Sequence, residues 1–310
     1  MTTQIKRVAV IGTGVIGASW TALFLAKGLN VVATDVAPGA EGRLRQYIDE
    51  AWPALESLGL APGASRSNLK FMVDLAPAVD GAELVQENGP ERIDFKRNLY
   101  GQLDGLLPPT AIIASSSSGL TMSEIQSGCP AHPERCVIGH PFNPPHLIPL
   151  VEIVGGRKTS EDTIQRVTDF YSTLGKRTIR LHKEVPGHVA NRLQAALWRE
   201  IVHLVAEGVV NVADADTAVC WGPGLRWGVM GPTLLFHLGG GQGGIEHFFD
   251  QFTGPMTAWW KALGNPQLTA EVRETVVAGV LQEAGTRSLD ALAAQRDEVL
   301  LGLLKLRSKE

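Results

Sequence analysis

Apolar residues in the first 185 positions or so gather into short runs of Val, Ile and Leu, separated by longer amphipathic stretches. Val8–Ile11, Val31–Thr34, Leu84–Gln86, Ala111–Ala114, Val137–Ile138 and Leu150–Val154 read as strands buried on both faces. Between them Ile16–Lys27, Arg43–Leu58, Asp94–Asp104 and Asp162–Leu174 carry helical spacing. Strands without a polar face, alternating with helices, predict a parallel sheet covered on both sides. The long interval between the second and third strands, broken at Pro62-Gly63-Ala64-Ser65, reads as two packed helices. After Val185-Pro186-Gly187 the strand signal stops. Helical spacing covers Val189–Val209, Glu246–Phe252, Thr269–Leu281 and Ser288–Leu304, and the glycine run 239–244 reads as a flexible corner. The expected organisation is an α/β domain over 1–187 and an all-helical domain over 188–310.

The first strand runs into Gly12-Thr13-Gly14-Val15-Ile16-Gly17, which opens the first helix. In that setting Gly12 permits a tight turn, Gly14 lets a pyrophosphate approach the backbone, and Gly17 lets helix and strand lie close. The helix N-terminus, with Val15 and Ile16 in its first turn, offers amide groups to phosphate oxygens. Asp35 ends the second strand, where a carboxylate accepts from both ribose hydroxyls and repels a 2′-phosphate. The unit predicts a doubly wound, Rossmann-type sheet that binds NAD rather than NADP. Arg43 and Arg45 are assigned to the following helix.

A second constellation follows the fifth predicted strand. In Gly139-His140-Pro141-Phe142-Asn143-Pro144-Pro145 the prolines restrict the chain and hold a histidine and an asparagine on a rigid turn. Glu152 interrupts the otherwise apolar Leu150–Val154, and a carboxylate there is costly to bury alone. A histidine at the end of the preceding strand is a suitable partner. The pair suits proton exchange with an alcohol, His140 as acid/base and Glu152 orienting it. The other histidines have ordinary places: His203 in a helix, His132 in a polar turn, His182 and His188 at the domain joint.

Composition narrows the partners. With 28 basic and 32 acidic residues the net charge is −4, which gives no basic field for nucleic acid or anionic lipid. No apolar run reaches membrane-spanning length, and the N-terminus reads directly into a strand without a secretory signal. Cys129, Cys136 and Cys220 lack metal-ligand spacing and read as reduced thiols, so a cytoplasmic protein without metal is expected.

Together, the glycine loop, Ala114-Ser115-Ser116-Ser117-Ser118-Gly119-Leu120, the His140–Asn143 loop, Leu150-Val151-Glu152 and Pro186-Gly187-His188-Val189-Ala190-Asn191-Arg192-Leu193 resemble the 3-hydroxyacyl-CoA dehydrogenase family, in order along most of the chain. The resemblance implies that His140 is the acid/base and Glu152 its partner. It implies Ser118 and Asn191 near the substrate oxygen, Asn143 near the nicotinamide, and Glu87 and Lys96 near the cofactor. Unaided, Glu87 reads as a strand-end residue and Lys96 as a solvated helix charge. The resemblance also implies a cleft between the domains and a homodimer built through the helical domain, although apolar Leu197, Ile201, Leu204 and Val205 suit an internal core as well.

Two stretches depart from the thioester pattern. Ser116-Ser117-Ser118-Gly119 stands where those enzymes show Asn-Thr-Ser-Ser, and Gly222–Pro232 with Phe236-His237-Leu238 is more similar to the L-gulonate 3-dehydrogenase (lambda-crystallin) and L-carnitine dehydrogenase branch. Arg226 offers a free carboxylate two parallel hydrogen bonds, or else makes a salt bridge within its own domain. Trp227 walls a pocket, meets a quaternary ammonium, or is core. The expectation is an NAD-dependent oxidation at the 3-position of a free hydroxy acid, giving the keto acid. The alternatives are an (S)-3-hydroxyacyl-CoA dehydrogenase and a non-catalytic NAD-binding structural protein.

Overall fold

A computed structural model of the chain describes residues 5–307. Strands β1 (Arg7–Ile11), β2 (Asn30–Thr34), β3 (Leu69–Met72), β4 (Leu84–Glu87), β5 (Ile112–Ser115), β6 (Cys136–Pro141), β7 (Leu150–Gly155) and β8 (Arg177–Leu181) form one sheet in the order β3-β2-β1-β4-β5-β6-β7-β8. Every neighbouring pair is parallel except β6 with β7. From β1 the chain winds outward first through β2 and β3, then returns to lay β4 on the other side. That reversal opens a crevice at the carboxyl ends of β1 and β4.

Alternation along each strand feeds two cores. Val8, Val10 and Ala33 face a layer with Trp20 and Phe24 of α1 (Val15–Ala26), Leu44 and Ile48 of α2 (Ala40–Leu58) and, further along the chain, Val167 and Tyr171. Ala9, Ile11, Val85 and Ile113 face the opposite layer, with Leu99, Tyr100 and Leu103. That second layer is built on α3 (Leu75–Val79), α4 (Ile93–Leu106) and α5 (Met122–Ile125). Val167 and Tyr171 lie on α6 (Glu161–Thr173). Successive side chains point to opposite faces, so unbroken apolar runs become the middle of a three-layer stack.

Two expectations are corrected. The interval after β2 does not hold two packed helices: it holds α2, then β3 and the short α3. β8 was likewise not anticipated. Both strands lie at the sheet's edges, and neither has a continuously buried run. Charged residues break the run in each, Lys70 in β3 and Arg177 and Arg180 in β8, as is common at sheet edges.

Beyond Gly187 the described residues are helical: α7 (Ala190–Ala206), α8 (Val212–Trp221), α9 (Pro223–Trp227), α10 (Pro232–Gly239), α11 (Gly244–Ala262), α12 (Ala270–Ala284) and α13 (Leu289–Arg307). The glycine run makes one 3-10 turn between α10 and α11. By its contacts the chain divides after Asn191, residues 297–306 grouping with the first unit and 192–296 forming the second. Ile201 and Val205 pack with Val212, Ala215 and Val276 inside the helical unit. No helix among the described residues is long and apolar enough to cross a membrane.

Candidate active site

The carboxyl ends of β1, β4, β5 and β6 are neighbours, so the loops that follow them share one rim. Gly12 has φ +80°, and a Cβ on it would sit 2.8 Å from the Asn88 carbonyl oxygen. On Gly17 a Cβ would fall 1.8 Å from the Gly12 carbonyl oxygen, so helix and turn can meet only without a side chain. Gly14 is different: nothing lies within 4 Å of its would-be Cβ, and it precedes α1 without a side-chain cap. Open space over backbone whose first-turn amides lack a cap suits a pyrophosphate. Val15 is exposed beside it, and Ile16 packs inward on the core.

Asp35 Oδ2 accepts from the Thr13 amide at 2.7 Å and the Thr13 hydroxyl at 3.1 Å, and Oδ1 accepts from the Ala37 amide at 2.9 Å. Burial alone would raise this carboxyl, but the Thr13 and Ala37 bonds outweigh it and hold the group below its ordinary value. A fixed carboxylate thus stands at the end of β2, next to the glycine turn. These residues fit the adenosine half of NAD.

Glu87 and Lys96 are buried and bound to each other, Nζ lying 2.8 and 2.9 Å from the two carboxylate oxygens. Ser115 Oγ and the Gly89 amide also donate to Glu87, each at 2.6 Å. Lys96 is therefore not the solvated helix charge its sequence context suggests. The pair braces the turn after β4. Glu91, which the sequence did not single out, organises the serine loop: its Oε1 accepts from Ser117 Oγ at 2.6 Å and from the amides of Gly119 and Leu120 at 2.7 and 3.0 Å. Ser118 is left exposed, its hydroxyl unbonded among the described residues.

His140 and Glu152 stand directly opposite in the antiparallel β6–β7 register. Twelve residues apart in sequence, they face each other because the only antiparallel pair in the sheet folds one strand back on the other. His140 Nδ1 lies 2.8 Å from Glu152 Oε2, and both side chains are buried. Burial would raise Glu152, but the bonds from His140, Ala190 and Val189 outweigh it and keep the carboxyl low. A carboxylate only accepts, so Nδ1 carries the proton of the neutral ring and Nε2 presents a lone pair. Glu152 Oε1 meanwhile accepts from the Val189 and Ala190 amides at 2.8 and 3.1 Å. One carboxylate thus holds the imidazole and the entry to α7, which begins one residue before Asn191.

The other groups occupy varied places. Asn143 is exposed and Asn191 half-buried, and the amide of each is unbonded among the described residues. The loop bearing Asn143 is tied down by residues the sequence did not mark. Ser19 Oγ of α1 lies 2.8 Å from His146 Nδ1 and accepts from the His146 amide at 2.8 Å. Buried Lys176 donates to the carbonyls of Pro145 and Ile148. Arg226 and Trp227 belong to the helical unit, on exposed α9, and the Arg226 guanidinium makes no ion pair among the described residues. His188, read as an ordinary joint residue, is instead 3% exposed against His140, with ring centroids 4.9 Å apart.

Residues 7–185 match the NAD binding domain of 3-hydroxyacyl-CoA dehydrogenase, and residues 187–278 match its C-terminal domain. An L-carnitine dehydrogenase of Streptomyces coelicolor is 48% identical over 97% of this chain and 95% of its own length. One from Pseudomonas putida is 48% identical over 98% and 94%. Among solved structures, 5-formyl-3-hydroxy-2-methylpyridine 4-carboxylic acid 5-dehydrogenase, described as an NAD+-dependent dismutase, is similar with a TM-score of 0.84 at 34% identity, covering 98% of each chain. The chain belongs to the 3-hydroxyacyl-CoA dehydrogenase family and is an NAD-dependent oxidoreductase.

Proposed function

Within that family, we propose that this chain oxidises the secondary alcohol at position 3 of a free hydroxy acid, with L-carnitine the leading substrate and L-gulonate the next. The observation that carries the chemistry is the 2.8 Å contact of His140 with a buried carboxylate that is itself anchored by two amides. It leaves Nε2 as a bare acceptor in a fixed ring. The substrate hydroxyl gives its proton to His140 Nε2 while the carbinol carbon loses hydride and the carbonyl forms; in reduction the imidazolium returns that proton. Glu152 balances the charge on the ring at each turn. NAD, when bound, supplies the hydride acceptor. Ser118 and Asn191 hold the substrate oxygen, and Asn143 the nicotinamide side.

The free-acid reading is supported by the relatives named L-carnitine dehydrogenase and by Arg226, whose guanidinium has no ion pair among the described residues and suits a carboxylate, whereas a thioester carbonyl carries no charge to pair with it. Trp227, 38% exposed, offers a face to a quaternary ammonium. We further propose a homodimer through the helical unit, where Trp221, Trp259 and Trp260 are more than half exposed in the single chain. The test is NAD reduction with L-carnitine, L-gulonate and (S)-3-hydroxybutyryl-CoA in parallel. Faster turnover of the thioester would end the free-acid reading, and unchanged turnover in H140N would end the acid–base assignment.

A further inference from the structure

His188 is the only non-glycine residue with positive φ among the described residues, at 48°. That backbone turn drops its ring beside His140 and lets the next two amides reach Glu152. Nε2 lies 2.9 Å from the Ser117 carbonyl oxygen, which can only accept, so Nε2 bears the proton. Burial holds the imidazole below its ordinary value, so the ring is neutral and Nδ1 is a lone-pair acceptor. That atom is buried and makes no hydrogen bond among the described residues. An unpaired acceptor at such depth is costly, and it is tolerated where a ligand supplies the missing partner.

We propose that His188 is a specificity-determining residue whose Nδ1 receives an electropositive group on the substrate carbon next to the reacting carbinol. The inference rests on His140 binding the substrate hydroxyl. The two rings lie 4.9 Å apart, close enough for a substrate whose hydroxyl meets His140 to place its neighbouring carbon at His188 once the packing that covers Nδ1 admits it. Two substituents share the required chemistry: the trimethylammonium of L-carnitine, through its polarised methyl groups, and the C4 hydroxyl of L-gulonate. A bare methyl, as in (S)-3-hydroxybutyrate, leaves the lone pair unanswered.

The nitrogens can be separated by substitution. Glutamine places its N–H near the position of Nε2, so H188Q keeps the Ser117 bond and loses the Nδ1 acceptor. Asparagine places a polar atom near Nδ1, so H188N does the reverse. The readout is the ratio of kcat/KM for L-carnitine, and separately for L-gulonate, over that for (S)-3-hydroxybutyrate, which cancels general damage to the site. Whichever ratio falls roughly tenfold in H188Q and recovers in H188N identifies the group received. H188F, which keeps an aromatic ring against His140 without either nitrogen, gives the same fall where H188Q melts early. Unchanged ratios in H188Q or H188F, with free-acid turnover intact, overturn the role of His188 alone. Absence of free-acid turnover in the wild type overturns this inference and the substrate reading together.

Discussion

Replacing Glu152 by glutamine tests the site at its most constrained atom. Glu152 receives three hydrogen bonds: two from the amides of Val189 and Ala190 on Oε1, and one from His140 on Oε2. In E152Q the carbonyl oxygen must stay with the two amides, since those can only donate. The new NH2 then faces His140 Nδ1, which must give up its proton and accept. The proton moves to Nε2, and the atom that should take the alcohol proton becomes a donor. Loss of a correctly poised general base costs about 10²–10⁴-fold in kcat. Stability changes much less: two bonds persist and one charge-assisted bond becomes neutral, a loss of about 1–2 kcal/mol and a few degrees in Tm. The assay is NADH formation under saturating NAD and substrate, with a thermal melt of the same preparation. A kcat within tenfold of wild type in a folded E152Q would refute the tautomer reasoning.

Other perturbations separate further parts of the fold. G14A should melt like the wild type, because nothing lies near its Cβ, yet bind NADH at least about tenfold more weakly. G17A should lose stability as well, its Cβ colliding with backbone; equal behaviour of the two variants in melting and NADH fluorescence titration would contradict the division of roles. D35A should raise KM for NAD about tenfold or more and narrow the preference over NADP, and an unchanged NAD/NADP ratio would remove Asp35 from the ribose site. Lys176 is pushed down to about 7 by burial, helped by the charge of Lys27, whereas in the unfolded chain it titrates at its ordinary 10.5. Between those values the unfolded chain binds the extra proton, so wild-type stability should rise with pH by up to about 1.4 kcal/mol per unit and flatten below 7. K176M lacks that slope, and parallel urea-unfolding stabilities of the two proteins from pH 7 to 9 would show that the amine is not titrating there.

The order of strand, glycine turn, helix, strand and acid determined the nucleotide half of this protein locally. Every group in that unit lies on consecutive elements, and the periodicity of a buried strand is visible without a partner. His140 and Glu152 were legible for a related reason: a polar residue inside an apolar strand asks for a partner, and another stood one strand away. Family motifs located Ser118, Asn143 and Asn191 but gave no contacts for them. What only the tertiary structure decided are pairings between distant segments and the state of the sheet's edges. β3, four residues interrupted by Lys70, and β8, which carries two arginines, become strands because a neighbour offers them hydrogen bonds rather than through an unbroken apolar run of their own. Glu91 finds its donors 26 to 29 residues away, His188 its carbonyl 71 away, and Ser19 meets His146 across 127 residues. Composition does not encode such contacts, since a hydrogen bond depends on ångströms and angles set jointly by every layer between the two segments.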